Sequence, residues 1–541
     1  MTRPDSAPGP RTRTALHAAA GILAGIFGMA VAHLVAALLD PSSSPVLAVG
    51  TAVIDATPTP VKEWAVSTFG TADKPILIGS VLLVTIALAA VIGVVARRRL
   101  LLGIGLMSVL VVLAGAAVLR RPLASAADLA PTLVALVLGP LALVWLTRQL
   151  NGLASSPDRP DPAGPAPRGE DAAGVAGEHR AAPVPAAAAG ASRRGVLVGS
   201  GLLAVLSAAA VAGGELIVRG RTRLADIALP KPANPQPPLP TGLEEELPSI
   251  SSFRTPNSRF YRVDTKLAVP IVDPDDWELR IDGDVDRELT FSYDDLRQME
   301  IVEHDITLTC VSNEVGGKLV GAARWTGVPL GALLDQAGVG TRADQILSTD
   351  VEGFTISTPL EVALDGRNSM VALGMNGEVL PRKHGFPARL VVPGLYGFVG
   401  ATKWLNRLTL TTYDAATAYW TDRGWATDAP IKLSSRIDTP RPLATLAPGR
   451  VDVGGVAWAQ HHGVAKVEVR IDGGPWQEAR LGPSAGIDYW RQWHFPWDAQ
   501  AGRHDLAVRC TDRDGNVQTA ERATPFPDGS SGIQEIVVMV D

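Results

Sequence analysis

The sequence predicts a multi-domain protein: an α-helical transmembrane region, then an α+β domain, then a β-sandwich. Three observations carry this prediction. Residues 1–220 contain long apolar runs with almost no charge. The residues that follow mix short apolar runs, which indicate strands, with short helical segments. From about Pro440 onward, apolar and polar residues alternate between turns rich in Asp and Gly, which is typical of antiparallel sheets.

The composition fits a fusion of membrane and soluble parts. The 541 residues have a mean hydropathy of +0.16 although 19% of them are charged, and a chain of this length forms several domains. The net charge is −6 and no basic stripe is interleaved with aromatic residues, so no nucleic-acid partner is indicated. Cys310 and Cys510 are the two cysteines, which could form at most one disulfide and no disulfide framework.

Five apolar runs are long enough to cross a membrane, because about 20 apolar residues span the hydrocarbon core. They are Leu16–Leu39, Ile76–Ala96, Leu100–Leu119, Leu129–Thr147 and Val196–Val218. The alternative is that they form buried helices of a soluble domain. The near absence of charge in four runs within the first 150 residues disfavours that alternative.

Arginines beside the runs predict the orientation in the membrane. Most of them fall on one side if the N-terminus is cytoplasmic: Arg3, Arg11, Arg13, Arg97, Arg98, Arg99, Arg148, Arg193 and Arg194. Arg120 and Arg121 fall on the other side. We therefore expect a multi-pass protein of the cell membrane, in contact with the lipid bilayer, whose residues after 220 lie outside the cytoplasm.

Changes in composition give the expected boundaries. We expect transmembrane helices in 1–149, a disordered Ala/Pro/Gly linker in 150–192, a fifth transmembrane helix in 193–220, a Pro-rich spacer in 221–246, the α+β domain in 247–430 and the sandwich in 431–541. Ser192-Arg193-Arg194 is similar to a twin-arginine export signal. An ordinary positive-inside anchor is the alternative, because Val196 stands where such signals usually have Phe.

Two alternating segments in the C-terminal region predict an immunoglobulin-like sandwich. Val464–Ile471 leads into Asp472-Gly473-Gly474, and Leu506–Cys510 leads into a turn at 512–515. This spacing of strands and turns is typical of such domains.

The chemistry centres on Cys310, which a predicted strand delivers to a polar loop ending in Gly316 and Gly317. A thiolate suits a transition metal. The lack of a CxxC partner excludes a structural zinc site built from cysteines alone and a cysteine-ligated iron–sulfur cluster. A buried core cysteine is the alternative.

The surrounding blocks resemble the sulfite-oxidase family of molybdopterin-dependent oxidoreductases, of a membrane-anchored bacterial type. Leu308-x-Cys310-x-x-Asn313 resembles the loop that supplies that family's molybdenum ligand. The other matching blocks follow in order: Ala323–Leu330, Leu373–Pro381, His384–Gly394 and Lys403–Leu405. The resemblance covers about residues 247–541.

The resemblance implies a molybdenum–molybdopterin cofactor, with the Cys310 thiolate as the metal ligand, and a two-electron oxo transfer. The cofactor-binding residues that it implies are Asn257, Asn313, Arg324, His384, Arg389, Thr402 and Lys403. A phosphate-bearing pterin needs such cationic and hydrogen-bonding groups, although any single one of them could serve an ordinary ion pair. Trp325 and Arg491 match groups of the family's substrate pocket, and Tyr419 lies two residues after Thr417, which aligns with the family's conserved tyrosine.

The chain departs from the family at two positions that bind an anionic substrate. Val315 and Pro256 stand where the family has arginines, and paired guanidinium groups suit a small oxyanion. We therefore expect a small-molecule substrate that is sulfoxide-like or sulfite-like, and the missing arginines favour a neutral oxide such as a sulfoxide over sulfite.

The resemblance also implies a homodimer that forms through the sandwich, and a redox partner that is either a quinone or a cytochrome. His17 and His33 lie on or beside the same first span, which favours an anchor over a haem carrier. A non-catalytic pterin-binding or scaffold membrane protein is one alternative, which the intact Cys310 disfavours. A transporter is another, which the absence of charge at mid-membrane disfavours.

Overall fold

The computed structural model describes residues 9–58, 61, 69, 73–155, 193–220, 224 and 227–541. The chain divides into two compact units, Met1–Arg219 and Gly220–Asp541. The predicted linker at 150–192 begins too early, because a helix continues to Ser155. The rest of that linker, 156–192, lies outside the described residues.

The first unit is helical in its described residues. Its helices are α1 (Pro10–Leu38), α2 (Pro45–Ala56), α3 (Asp73–Arg98), α4 (Leu100–Leu119), α5 (Ala130–Ser155) and α6 (Arg193–Gly220). Five of the described helices are long and apolar enough to cross a membrane. They contain the five predicted runs to within one residue, whereas the short apolar helix α2 was not predicted.

Helices α1 and α3 approach each other through glycines. A Cβ on Gly21 would lie 2.1 Å from the carbonyl oxygen of Ala89, and one on Gly93 would lie 2.1 Å from that of His17. Small residues of this kind let transmembrane helices pack closely where lipid supplies no hydrophobic drive. The ring of the buried His17 hydrogen bonds to the carbonyl of Arg13 at 2.8 Å and to Oδ1 of Asn151 at 3.1 Å.

Residues 278–411 form two sheets. The strands are β1 (Glu278–Gly283), β2 (Leu289–Ser292), β3 (Val302–Thr309), β4 (Val320–Pro329), β5 (Gln345–Asp350), β6 (Thr355–Pro359), β7 (Met370–Met375), β8 (Glu378–Val379), β9 (Arg389–Val391) and β10 (Leu405–Thr411). The first sheet has the order β2-β1-β10-β5-β6. The second has the order β3-β4-β7-β8, with β9 also paired to β7. Both sheets contribute to one large core, in which Leu279, Trp325 and Leu373 are fully buried.

Four short helices accompany these sheets: α7 (Tyr293–Gln298), α8 (Leu330–Ala337), α9 (Leu360–Ala363) and α10 (Gly397–Gly400). The mixture of sheets and short helices agrees with the predicted α+β pattern. Leu330–Ala337 is one of the short helical segments, and the apolar runs at 306–308 and 390–391 lie in strands β3 and β9.

The C-terminal region is a sandwich of two sheets. Its strands are β11 (Ser434–Thr439), β12 (Thr445–Leu446), β13 (Gly449–Trp458), β14 (Val464–Ile471), β15 (Gln477–Glu478), β16 (Arg480–Leu481), β17 (Arg491–Ala499), β18 (Gly502–Asp512) and β19 (Gln534–Val540). The sheets have the orders β11-β13-β17-β16 and β12-β19-β18-β14-β15, and they share a core that includes Trp493, Val467 and Cys510. The immunoglobulin-like assignment stays a prediction.

The Pro-rich spacer is bonded to the second unit over its described part. The amide of Ala233 donates to the carbonyl of Ile301 at 3.0 Å. The carbonyls of Gln236 and Pro237 accept from Arg324 at 3.2 and 2.7 Å. Because proline-rich backbone lacks donors of its own, these carbonyl contacts hold it along β3 and β4.

Candidate active site

Strand β3 ends beside the thiol that the sequence singles out. The amide of Cys310 donates to the carbonyl of Leu319 at 2.9 Å, and the amide of Asn313 donates to the carbonyl of Cys310 at 3.0 Å. Oδ1 of Asn313 accepts from the amide of Leu319 at 2.8 Å. The predicted cofactor ligand Asn313 therefore closes the loop that follows β3 and fixes its shape.

The Cys310 side chain is 8% exposed. Burial raises the pKa of its thiol, while hydrogen bonds from Ser312 and the nearby charge of Lys403 act in the opposite direction. A free thiol here stays protonated at neutral pH. A metal cation would replace the proton, because metals bind the thiolate form.

A buried guanidinium group lies on the wall beside this loop. Arg389 is 5% exposed, and its guanidinium stands over the ring of Trp325, 4.8 Å from the centroid. Burial lowers its pKa to about 10. Trp325 is fully buried, and its indole N–H donates to the carbonyl of Ile306 at 3.1 Å. The ring is therefore fixed in place where the guanidinium of Arg389 packs on it.

A second cation, Lys403, stands close to Arg389. Its Nζ bonds to Oδ2 of Asp264 at 2.5 Å, and burial lowers its pKa to about 8. Gly385 permits this closeness: its φ is +114°, and a Cβ there would lie 3.0 Å from that of Lys403 and 3.1 Å from that of Arg389. Any other residue would be strained at this φ and would crowd the Cβ atoms of Lys403 and Arg389.

His384 holds the segment around Asn257 in place. Its Nε2 bonds to the carbonyl of Asn257 at 2.9 Å, and because a carbonyl can only accept, this nitrogen carries the hydrogen. Burial lowers the pKa of His384 to about 4, so its ring is neutral at physiological pH. The Asn257 amide is already bonded to Asn376, Glu378 and the carbonyl of Met375.

Two tyrosines near Cys310, the half-buried Tyr261 and the buried Tyr396, were missed by the sequence reasoning. Burial is the main cause of the raised pKa of both Tyr261 and Tyr396, and the neighbouring Cys310 raises each of them further. The charge of Arg389 acts in the opposite direction on the pKa of Tyr261. The Tyr261 ring stacks on that of Phe260, with centroids 5.2 Å apart. The sequence signal that could have identified Tyr261 is the adjacent aromatic pair Phe260-Tyr261, which follows Asn257 closely.

Four predicted site residues bond elsewhere. Arg324 forms a two-pronged ion pair with Asp305, at 2.9 and 2.8 Å. Oγ1 of Thr402 meets Oγ of Ser348 at 2.6 Å.

The other two lie in different parts of the unit. Arg491 donates to the carbonyl of Gly482 at 2.6 Å, within the sandwich. Tyr419 packs on Phe354 and under the guanidinium of Arg423, which lies 3.5 Å from its ring centroid.

The residues that the structure brings together are thus Cys310, Trp325, His384, Arg389 and Lys403, with Tyr261 and Tyr396 added. Two surface clefts, of about 540 and 270 Å³, are lined by other residues, such as Tyr413 in the first and His304 in the second. The site is therefore identified by its chemistry and burial, not by the size of an opening.

The donor set fits an anionic, metal-bearing group. Nη1 of Arg389 reaches the carbonyl of His384 at 3.2 Å and Nη2 reaches that of Ala401 at 3.4 Å, while its Nε has no partner among the described residues. A buried cation served only by long bonds to carbonyls is costly. A phosphate or a polar heterocycle would satisfy it, and Cys310 offers a soft metal ligand beside it.

Comparison with known proteins agrees with this chemistry. Residues 266–420 match the protein family described as an oxidoreductase molybdopterin binding domain. The chain is 31% identical to mitochondrial sulfite oxidase of Rattus norvegicus over 337 residues, which is 53% of this chain and 60% of the relative. It is 29% identical to sulfite oxidase of Gallus gallus over 340 residues, which is 53% of this chain and 71% of that one.

Among solved structures, sulfane dehydrogenase SoxCD from Paracoccus pantotrophus aligns with a TM-score of 0.48 and 24% identity, over 54% of this chain and 84% of that chain. The chain spans about 60% of the length of the rat relative. The resemblance read from the sequence motifs is confirmed by the family match and by the sulfite oxidases.

Proposed function

The chain belongs to the sulfite-oxidase family of molybdopterin-dependent oxidoreductases, and we propose that it is a membrane-anchored enzyme that performs a two-electron oxo transfer on a small substrate outside the cytoplasm. When bound, the molybdenum–molybdopterin cofactor supplies the metal and its two-electron redox change. The observation that carries the proposal is the buried Arg389 guanidinium, whose Nε has no hydrogen-bond partner among the described residues, together with the Cys310 thiol, because both groups act on the same residue, Tyr261.

Each residue of the site has a defined task in this proposal. Cys310 would bind the metal as a thiolate, and Arg389 and Lys403 would bind the anionic part of the cofactor. Trp325 packs against the guanidinium of Arg389, and neutral His384 fixes the Asn257 segment. The half-buried Tyr261 and the buried Tyr396, both near Cys310, would limit the access of water to it.

The substrate that we propose is a neutral oxide such as a sulfoxide. Val315 and Pro256 offer no charge where the sulfite-oxidase family has arginines. Arg491 donates a hydrogen bond within the sandwich, to the Gly482 carbonyl. Because a small oxyanion is bound by clustered guanidinium groups, a pocket without them favours an uncharged substrate.

The experiment uses the full chain, purified in detergent from a host that makes the cofactor. Metal and pterin content are measured first, and about one of each per chain is expected. Turnover is then measured with dimethyl sulfoxide and a reduced viologen as electron donor, and separately with sulfite and ferricyanide as electron acceptor. Faster turnover of the sulfoxide supports the proposal, and faster turnover of sulfite overturns the proposed substrate. A folded chain without molybdenum or pterin overturns the enzyme and leaves a scaffold.

We also propose that Gly220–Asp541 lies on the extracytoplasmic side. The arginines beside the spans support this orientation. Two arginines, Arg120 and Arg121, fall on the opposite side. The charge of Arg121 is balanced locally, because its Nη2 lies 3.2 Å from Oδ2 of Asp40. Alkaline phosphatase fused after residue 541 should be active in a bacterial host, and an inactive fusion beside an active cytoplasmic reporter would reverse the orientation.

A further inference from the structure

The loop that carries Cys310 is bonded to the C-terminal sandwich on both of its arms. We call residues 307–317 the cysteine loop; they comprise the end of β3, Cys310 and the turn that follows. β3 is an edge strand, paired to β4 on one side. Its other side faces segments of the sandwich, which is where an unpaired strand edge needs partners.

On the strand arm, Thr307 is the most heavily bonded residue. Its amide donates to the carbonyl of Asp488 at 2.9 Å, and its Oγ1 accepts from the amide of Trp490 at 2.9 Å. Thr307 is fully buried, and Asp488 and Trp490 are 6% and 2% exposed. Water therefore does not compete for these bonds, and losing one would leave a buried polar group unsatisfied.

Gln460, in the turn between β13 and β14, joins the same arm by its side chain. Its Nε2 donates to Oγ1 of Thr309 at 3.1 Å and to the carbonyl of Thr307 at 3.4 Å. Because the carbonyl can only accept, the amide nitrogen must face β3. Gln460 is 2% exposed, and Thr309 is the residue directly before Cys310.

On the other arm, two more side chains of the C-terminal region hold the backbone. Oγ of Ser530 donates to the carbonyl of Asn313 at 2.6 Å, and Nη1 of Arg436 donates to that of Gly317 at 2.7 Å. Gly316, with φ +79°, lies against Gln534 so closely that a Cβ would come within 2.6 Å of Nε2. Four separate segments of the sandwich region thus bracket Cys310.

We propose that the sandwich positions the metal ligand, with Gln460 and Ser530 as the positioning residues on the two arms. The inference rests on the proposed role of Cys310 and goes beyond it, because it gives the C-terminal region a part in each chain's own metal site. Three carbonyls and two hydroxyls of the loop are fixed from outside the catalytic sheets, so the thiolate is held at one place when the metal binds.

The test compares Gln460→Ala and Ser530→Ala with two matched controls in the full chain. Gln518 is a buried sandwich glutamine that bonds to Ser435 and Gly532 and does not bond to the loop. Ser531 is the neighbour of Ser530 and donates to the carbonyl of Glu521. Gln518→Ala and Ser531→Ala therefore report the general cost of losing a sandwich hydrogen bond.

Two readouts are taken. In cofactor-free protein, hydrogen–deuterium exchange of amides 308–319 should be about tenfold faster in Gln460→Ala and Ser530→Ala, which corresponds to about 1.4 kcal/mol of lost protection. In the loaded enzyme, the electron paramagnetic resonance spectrum of the Mo(V) state should shift in the same two variants. Both readouts should match the wild type in the two controls, and Ser530→Thr, which keeps the hydroxyl, should restore both.

Unchanged exchange and an unchanged spectrum in Gln460→Ala and Ser530→Ala would overturn the inference, even if their melting temperatures fall as much as that of Gln518→Ala. Wild-type protein without molybdenum would instead overturn the proposed function. The exchange of the cysteine loop would then still decide whether the sandwich holds it.

Discussion

The two cysteines of this chain occupy sites that are similar in burial and opposite in chemistry. Cys310 is 8% exposed and Cys510 is fully buried, and burial is the first cause of a raised thiol pKa at both. Cys510 lies in β18 inside the sandwich core, with its sulfur 3.3 Å from the carbonyl of Ser434. Cys310 lies at the end of a strand, near Lys403, Tyr261 and Tyr396.

The difference lies in the charge that the protein leaves without full partners. Around Cys510 the amide of Gln518 has its oxygen and its nitrogen both bonded, and the buried atoms without a partner among the described residues, the indole N–H of Trp493 and the hydroxyl of Thr511, are neutral. In the site of Cys310, the buried guanidinium of Arg389 is charged, and its Nε has no partner among the described residues. Burial alone therefore does not mark a metal ligand, whereas burial beside uncompensated charge does.

The largest expected effect is the loss of activity when Cys310, the cysteine assigned to the metal, is replaced. Cys310→Ser should lower oxo-transfer activity by more than about 100-fold, which is the upper end of what changes outside the metal's own ligands cost, because the hydroxyl is a poor substitute for a soft thiolate. Cys510→Ser should leave activity within about twofold. Steady-state rates per molybdenum decide this. Equal losses in both variants would mean that Cys310 has no special role.

A pair of arginines sharpens the contrast between partnered and unpartnered charge. Arg389→Met should lower pterin content by about tenfold or more, since a buried charge-assisted contact is worth about 1.5–3 kcal/mol, without lowering the stability of the cofactor-free chain. Arg324→Met should do the reverse. It leaves Asp305 buried without its cation, which costs about 3 kcal/mol, while pterin content stays near that of the wild type.

Pterin fluorescence and thermal unfolding of protein made in a cofactor-deficient host measure the two quantities. Arg324 was predicted from the sequence to bind the cofactor. In the structure it instead forms an ion pair with Asp305 and a hydrogen bond to the Pro-rich spacer. A loss of pterin in Arg324→Met at unchanged stability would restore the sequence-based role.

His384 gives the site a pH dependence of its own. Its pKa is about 4 in the folded chain against 6.5 for a free histidine. Between these values the unfolded chain binds a proton that the folded chain does not, so stability falls as pH drops from 6.5 to 4. About 2.5 units at about 1.36 kcal/mol each give a loss of about 3 kcal/mol.

Unfolding of wild type and His384→Gln, measured from pH 7 to pH 4, tests this pH dependence. Glutamine keeps a donor for the Asn257 carbonyl and does not titrate, so the steeper decline should belong to the wild type. Carboxylates titrate equally in both and cancel in the difference. Parallel curves would mean that His384 is charged in the folded chain or that it is solvated.

Much of this architecture could be predicted from the sequence because it depends on local patterns. The apolar runs gave the five long helices, and alternation gave Val464–Ile471 with the bounds that the structure has. The linker boundary was wrong because the helix continues to Ser155 through Asn151 and Gly152, although both are poor helix formers; the bond of Asn151 to His17 is a contact that local propensity does not contain. Helix α2 was missed because its 12 residues are too short to register as a span.

The site could be predicted only where a motif fixes both the residue and its direction. Cys310, Arg389 and Lys403 lie in such motifs and come together in the structure. Arg324 and Thr402 lie in them too, but each points to the far side of its own segment, which a motif does not encode. The position of Tyr261 in the site and the hydrogen bond from Gln460 to β3 depend on contacts between distant parts of the chain. No local sequence pattern predicts such contacts.

The smallest effect returns to Cys510 and tests the comparison from its other side. Cys510→Ala removes a sulfur that is fully buried among Val467, Trp493 and Val508, so it should cost about 1–2 kcal/mol of stability through the cavity it leaves. Cys310→Ala, at the edge of the core, should cost less than that in the cofactor-free chain. Thermal unfolding of the two cofactor-free variants measures this. The cysteine that matters least for turnover should thus matter more for folding. If Cys310→Ala proves more destabilising than Cys510→Ala, the main role of Cys310 in the cofactor-free chain is to pack in the core. Its assignment as a metal ligand would then depend on metal content alone.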